Sequence, residues 1–120
     1  MLTTIALFAS VAAIGLAAHD ELPDLRIGDP MPKADARMMD VSGKELSLKD
    51  VTKKNGVLVI FSCNTCPFVV GSDGSEGWEG RYPALGEFCR KNEIGFVLVD
   101  STEAKRDAGD GLADVQKHYK

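Results

Sequence analysis

Cysteine is scarce in this chain: three in 120 residues, an odd number and far below the density with which small exported domains staple themselves. A disulfide scaffold is excluded. Positive charge is nowhere concentrated either. Fourteen Lys and Arg stand among eighteen Asp and Glu, for a net charge of −4, and without a basic block no polyanion is attracted, so nucleic-acid binding is not expected. Histidine occurs only at His19 and His118, with no partner at the spacing of a structural zinc site. Repeats and low-complexity tracts are absent. The length suits one domain with one core, since domains are typically ~100–150 residues.

The first segment stands apart. Leu2 to Ala18 carries no charge and closes on small residues ahead of His19, Asp20 and Glu21, the pattern of a secretory signal peptide, with cleavage expected after Ala17 or Ala18. No Lys or Arg precedes the run, and at ~17 apolar residues it also reaches the lower limit for spanning a bilayer. A retained signal anchor is therefore the alternative, and only then would the protein be held at a membrane. No cysteine near the cut offers a lipid anchor. On either reading the rest of the chain is exported, to a periplasmic or extracellular compartment where disulfides persist.

Residues 19–33 are polar and punctuated by Pro23, Pro30 and Pro32, an extended lead-in to a domain expected over 34–120. Ala36 to Val41 and Lys44 to Leu48 flank the Ser42-Gly43 dipeptide and read as a β-hairpin; Ser47 to Val51 reads as one helical turn. Val57 to Phe61 is an apolar, β-branched run bounded by Gly56, suited to a strand covered on both faces. Pro67 suits the first turn of a helix. Gly71 to Gly77 interrupts that helix, and helical spacing resumes through Trp78, Tyr82, Leu85, Phe88 and Cys89, with a kink expected at Pro83. Cys89 reads as a buried small hydrophobe. The glycine-rich run to Gly80 lacks the order of a phosphate loop and reads as a surface loop.

Ile94 to Val99 is a second strand candidate, so strand, helix and strand form a βαβ unit with parallel strands and a right-handed crossover. Thr102 to Gly109 reads as a charged, solvated loop. Asp110 is placed to cap a last helix presenting Leu112, Val115 and Tyr119 on one face, with His118 solvated in its final turn.

The chemistry concentrates at Cys63-Asn64-Thr65-Cys66, between strand and helix. There, unpaired helix N–H groups and the positive end of the macrodipole favour an anion, so the Cys63 thiol is expected to be more acidic than the ordinary ~8.5. Cys66, one turn further on, could attack a mixed disulfide on Cys63. Other uses of the pair remain open. Two soft thiolates suit Cu(I), and an exported Cu(I) carrier is the rival from another class. A structural crosslink would close too short a loop to remove much chain entropy. A c-type haem requires His after the second cysteine, and the residue is Pro67.

These residues resemble the thioredoxin superfamily, in particular its exported members near the TlpA and redoxin (alkyl hydroperoxide reductase-like) groups. The resemblance runs from Ile27 to about Asp100. Ile27-Gly28-Asp29-Pro30-Met31-Pro32 resembles the family's lead segment, Asp40 to Leu48 its early hairpin, and Val57 to Pro67 its active-site strand and C-x-x-C-P. The resemblance implies a three-layer α/β/α sandwich, with Cys63 as attacking thiol and Cys66 as resolving thiol. It makes Asn64 and Thr65 the pair that tunes the potential and Pro67 the residue that shapes the helix. It also implies exchange with protein thiols and disulfides, an upstream redox donor or acceptor, and no bound cofactor.

The departures from that pattern are specific. Ser62 stands where thioredoxins usually have Trp, and Val57 where they carry a buried acid, leaving the proton acceptor for Cys66 unassigned. The peroxidatic pattern P-x-x-x-[ST]-x-x-C fails at both cysteines, so peroxidase activity is not expected. All five prolines lie at or before position 83, so the family's cis-proline loop, its following hairpin and its closing helix are not expected in this stretch, which reads as a fragment of a longer protein or a truncated product. The sandwich is expected to be truncated after the second parallel strand and the next helix, with exposed apolar edges and low stability. A catalytically silent fragment is a third reading.

Overall fold

The computed structural model describes residues 24–119. The signal segment at 1–18 and the start of the lead-in lie outside them. Among the described residues no helix is long and apolar enough to cross a membrane. The chain divides after Pro30. Before that point the described residues form one turn, in which the Arg26 N–H donates to the Asp29 carboxylate and the Asp29 N–H to the Arg26 carbonyl.

From Met31 onward the protein is mixed α/β. It opens with a short antiparallel pair, β1 (Met38–Met39) with β2 (Glu45–Leu46). The expected hairpin is present, with shorter strands. Its corner is tied by Asp40, whose carboxylate accepts from the Ser42 N–H, the Ser42 hydroxyl and the Lys44 N–H; those bonds hold Asp40 below the ordinary carboxylate range. Next comes α1 (Leu48–Val51), one turn closed by a capping box. Ser47 Oγ accepts from the Asp50 N–H while the Asp50 carboxylate accepts from the Ser47 N–H, satisfying donors a helix start leaves free. The Lys49 N–H donates to the Ala34 carbonyl, fastening the segment before β1 to this turn.

The centre is a parallel pair, β3 (Val57–Ser62) and β4 (Gly95–Asp100), paired from Val57 with Gly95 to Ser62 with Asp100. Parallel strands need a long crossover, here made of α2 (Pro67–Val70), a 3₁₀ turn (Trp78–Arg81) and α3 (Tyr82–Lys91). Gly86 brings α3 against the Phe96 ring. Gly95 lets β4 start beneath α1: a Cβ there would lie 2.0 Å from the Val51 carbonyl oxygen. A final helix, α4 (Leu112–His118), follows a short 3₁₀ turn at Glu103–Lys105.

Several expectations are corrected. β3 is not covered on both faces, because Phe61 is 71% exposed and Leu58 also reaches solvent. The crossover helix has the anticipated spacing but too few partners. Of the five residues expected on its apolar side, Tyr82 and Cys89 are buried and Leu85 is half-buried, while Trp78 and Phe88 are exposed. Trp78 instead lies under the Arg81 guanidinium, 4.4 Å from the ring centre. Pro83 makes no kink. It occupies the first turn of α3, where its missing N–H has no partner to lose.

Candidate functional site

β3 ends at Ser62, whose ladder partner on β4 is Asp100, and so delivers Cys63 just past the C-terminal end of the strand. A groove of about 810 Å³ opens there, lined among others by Ser62, Cys63, Asn64, Leu98, Asp100 and Tyr119. That size falls in the range of ligand-binding clefts. Cys63 and Cys66 are both half-buried free thiols; Cys89 is free and buried.

The loop between the two cysteines is not part of a helix. α2 begins at Pro67 with Cys66 as its N-cap residue and spans four residues. The Cys66 carbonyl accepts from the Val69 and Val70 N–H groups. Cys63 therefore lies outside the helix, and one turn supplies little macrodipole. The expected acidification of Cys63 does not occur. Its thiol is pushed up, first by burial, then by the Cys66 side chain and by the negative charge of Asp110, with the Cys66 N–H acting in the opposite direction. The two cysteines are thus close enough for thiol and backbone of Cys66 both to act on the Cys63 sulfur.

What holds this loop comes from far along the chain. One Asp110 carboxylate oxygen accepts from the Asn64 N–H at 2.8 Å and the Thr65 N–H at 3.0 Å. The other accepts from the Thr65 hydroxyl at 2.9 Å. The Asn64 side-chain amide donates to the Gly109 carbonyl at 3.1 Å. Asp110 is 7% exposed. It is not the cap of α4, a position taken by Gly111. Nothing local in the sequence separates the two roles, because an Asp just ahead of a helix is what a cap looks like.

No protein-family model matches the chain, and neither a curated protein nor a solved structure proves significantly similar to it. The site therefore has to be read from its own chemistry.

Asp100 is another carboxylate lining the groove. Its Oδ1 accepts from the Thr102 N–H at 3.0 Å. Its Oδ2 is buried without a hydrogen-bond partner among the described residues. Behind Cys63, Ser62 is buried and its hydroxyl lies 3.3 Å from that of Tyr82. Tyr119 reaches the same place from α4; burial, then the charge of Glu79, pushes its hydroxyl above the ordinary phenol range, with the Ser62 hydroxyl opposing. His118 is not simply solvated: its Nε2 lies 2.5 Å from Glu79 Oε1, joining the end of α4 to the turn before α3. Among the described residues no three His, Cys, Asp or Glu side chains converge as a metal site would require.

The sequence-derived site residues thus separate by role. Cys63 and Asn64 line the groove; Cys66 stands behind them at the start of α2; Thr65 faces Asp110 and Pro67 opens the helix. Gly109 and Asp100 join the neighbourhood with no signal in the sequence, and Asp110 and Tyr119 join it although the sequence points only to a helix cap and a helix face.

Proposed function

We propose that the protein is an exported thiol–disulfide oxidoreductase with a thioredoxin-like fold, in which Cys63 and Cys66 cycle between dithiol and disulfide. The observation that carries this reading is the pair itself. Two free thiols interact with each other at the C-terminal end of a parallel strand, and the first opens onto a groove large enough for a ligand. In open α/β sheets, sites form at the carboxyl ends of the strands.

In the proposed reaction the Cys63 thiolate attacks one sulfur of a substrate disulfide. A Cys63–substrate mixed disulfide forms and the first substrate thiolate leaves. The Cys66 thiolate then attacks the Cys63 sulfur, closing the Cys63–Cys66 disulfide and releasing the second substrate thiolate. Two electrons pass to the substrate, and the protons lost by the two cysteines match those gained by the two substrate thiols. Run backwards, the same steps oxidise a substrate dithiol. Protein thiols and disulfides are the partners, together with an upstream redox donor or acceptor, and no bound cofactor is needed.

Equilibration of the purified protein with reduced and oxidised glutathione tests the reading. A Cys63–Cys66 disulfide that forms and disappears reversibly with the glutathione ratio is expected, read as a 2 Da mass change (~2 Da for loss of two hydrogens) in the peptide carrying both residues. A pair that stays reduced at every ratio while the protein retains Cu(I) stoichiometrically would move the assignment to a metal carrier.

A further inference from the structure

The segment from Cys63 to Cys66 has no regular structure to hold it. β3 ends at Ser62 and α2 begins at Pro67, so neither a ladder nor a helix accepts the N–H groups of Asn64 and Thr65. Both instead donate to one oxygen of Asp110, and the Thr65 hydroxyl donates to the other. Three donors converge on an acceptor-only group that is almost wholly withdrawn from water, where such bonds are stronger than at the surface. The approach is close along its whole length. Gly109 receives the Asn64 amide, and a Cβ on Gly109 would lie 2.7 Å from Thr65 Cγ2.

We infer that Asp110 is the positioning residue of the dithiol loop, holding the Asn64-Thr65 backbone so that the Cys63 and Cys66 sulfurs stay within reach of each other. This rests on the thiol–disulfide reading above. It assigns to a residue outside the C-x-x-C, on a different part of the chain, control over the effective concentration of one thiol at the other. The carboxylate touches no reacting atom in this scheme; it acts through the loop. Its charge has a separate effect, since it disfavours the Cys63 thiolate. Asn at this place has nearly the same shape, keeps an acceptor for the two N–H groups and can donate to the Thr65 hydroxyl, so it removes the charge while retaining the tether.

The test compares wild type, Asp110→Ala, Asp110→Asn and Thr65→Val in glutathione redox buffers, reading the equilibrium constant for dithiol plus glutathione disulfide giving protein disulfide plus two glutathione thiols. Alkylation of Cys89, 1% exposed in the fold, reports in the same samples whether each variant remains folded. Loss of the tether in Asp110→Ala is expected to lower the constant about tenfold or more, through the lost effective concentration. Asp110→Asn recovers most of that loss. In Asp110→Asn the rate of Cys63 alkylation at neutral pH rises about threefold, the net of more thiolate and lower nucleophilicity.

An Asp110→Ala protein that keeps Cys89 protected and has the wild-type constant overturns the inference. If Asp110→Ala exposes Cys89, Thr65→Val decides: a fall of about threefold, the effect of one lost hydrogen bond, supports the tether, and an unchanged constant overturns it. A wild type that forms no Cys63–Cys66 disulfide at any ratio removes the thiol–disulfide reading and this inference together. Failure confined to the variants removes the inference alone.

Discussion

Gly109 and Thr65 are in close contact across 43 intervening positions of sequence: Gly109 holds φ +110°, and a Cβ on it would come within 2.7 Å of Thr65 Cγ2. Backbone in this left-handed region and a sub-contact approach both disfavour any larger residue. Gly109→Ala is therefore expected to lower unfolding free energy by about 1–3 kcal/mol, measured by urea denaturation. Adding Thr65→Ser, which removes the offending methyl and keeps the hydroxyl for Asp110, should restore part of the loss. Equal losses in the single and double variants would show that the methyl is not the obstacle.

The elevated Cys63 thiol makes stability depend on alkaline pH. Its folded value lies above its unfolded one, so the folded state binds the proton more tightly. The corresponding stability is fully present below the ordinary thiol range of ~8.5 and is lost as pH rises through the elevated folded value. The reduced protein should thus lose stability more steeply than Cys63→Ser between the ordinary thiol range and that elevated folded value. Identical profiles of melting temperature against pH for the two proteins would contradict the assignment. Near neutral pH, folded Cys63 should also react more slowly with iodoacetamide than the same residue in urea.

Tyr82 and Ser62 form a buried hydroxyl pair at 3.3 Å beneath the site. Tyr82→Phe leaves the Ser62 hydroxyl short of a partner and is expected to cost about 1 kcal/mol. Removing both hydroxyls, in Tyr82→Phe with Ser62→Ala, should cost less than the sum of the two single changes, because no unpaired group is left behind. Strict additivity in a double-mutant cycle would show that the two hydroxyls do not interact.

Little apolar surface is withdrawn from water. Among hydrophobic residues only Tyr82 and Cys89 are fully buried within the described part of the chain, while Phe61, Phe68, Trp78 and Phe88 are each more than half exposed. With burial worth about 25 cal/mol per Å², a core this small gives a weakly cooperative, low-temperature melt and binding of hydrophobic dyes. A sharp transition at high temperature without dye binding would contradict that expectation.

The mixed α/β class, the parallel pair and the buried Cys89 were legible because each is written locally. Val57 to Phe61 and Ile94 to Val99 are apolar and β-branched, the segment between them has helical spacing, and Cys89 sits on its apolar side. The errors share one cause. Trp78 and Phe88 carry the right spacing, but exposure is decided by what packs on them, and the parallel sheet of the crossover has only two strands among the described residues. Asp110 carries a helix-cap signature, yet a tertiary partner, the bare loop at Asn64-Thr65, claims its carboxylate. Pro67 in the sequence points to a helix N-terminus at Cys63. The helix is one turn long, and burial outweighs what that turn offers.

The central claim, attack by Cys63 followed by resolution by Cys66, is tested most directly by trapping. Cys66→Ser removes the resolving thiol and leaves Cys63 at the groove. Incubated with a disulfide-bonded protein substrate, this variant is expected to accumulate a reductant-sensitive mixed disulfide mapping to Cys63, while Cys63→Ser accumulates none there. Absence of any Cys63 adduct in folded Cys66→Ser, with Cys89 still protected, would contradict it.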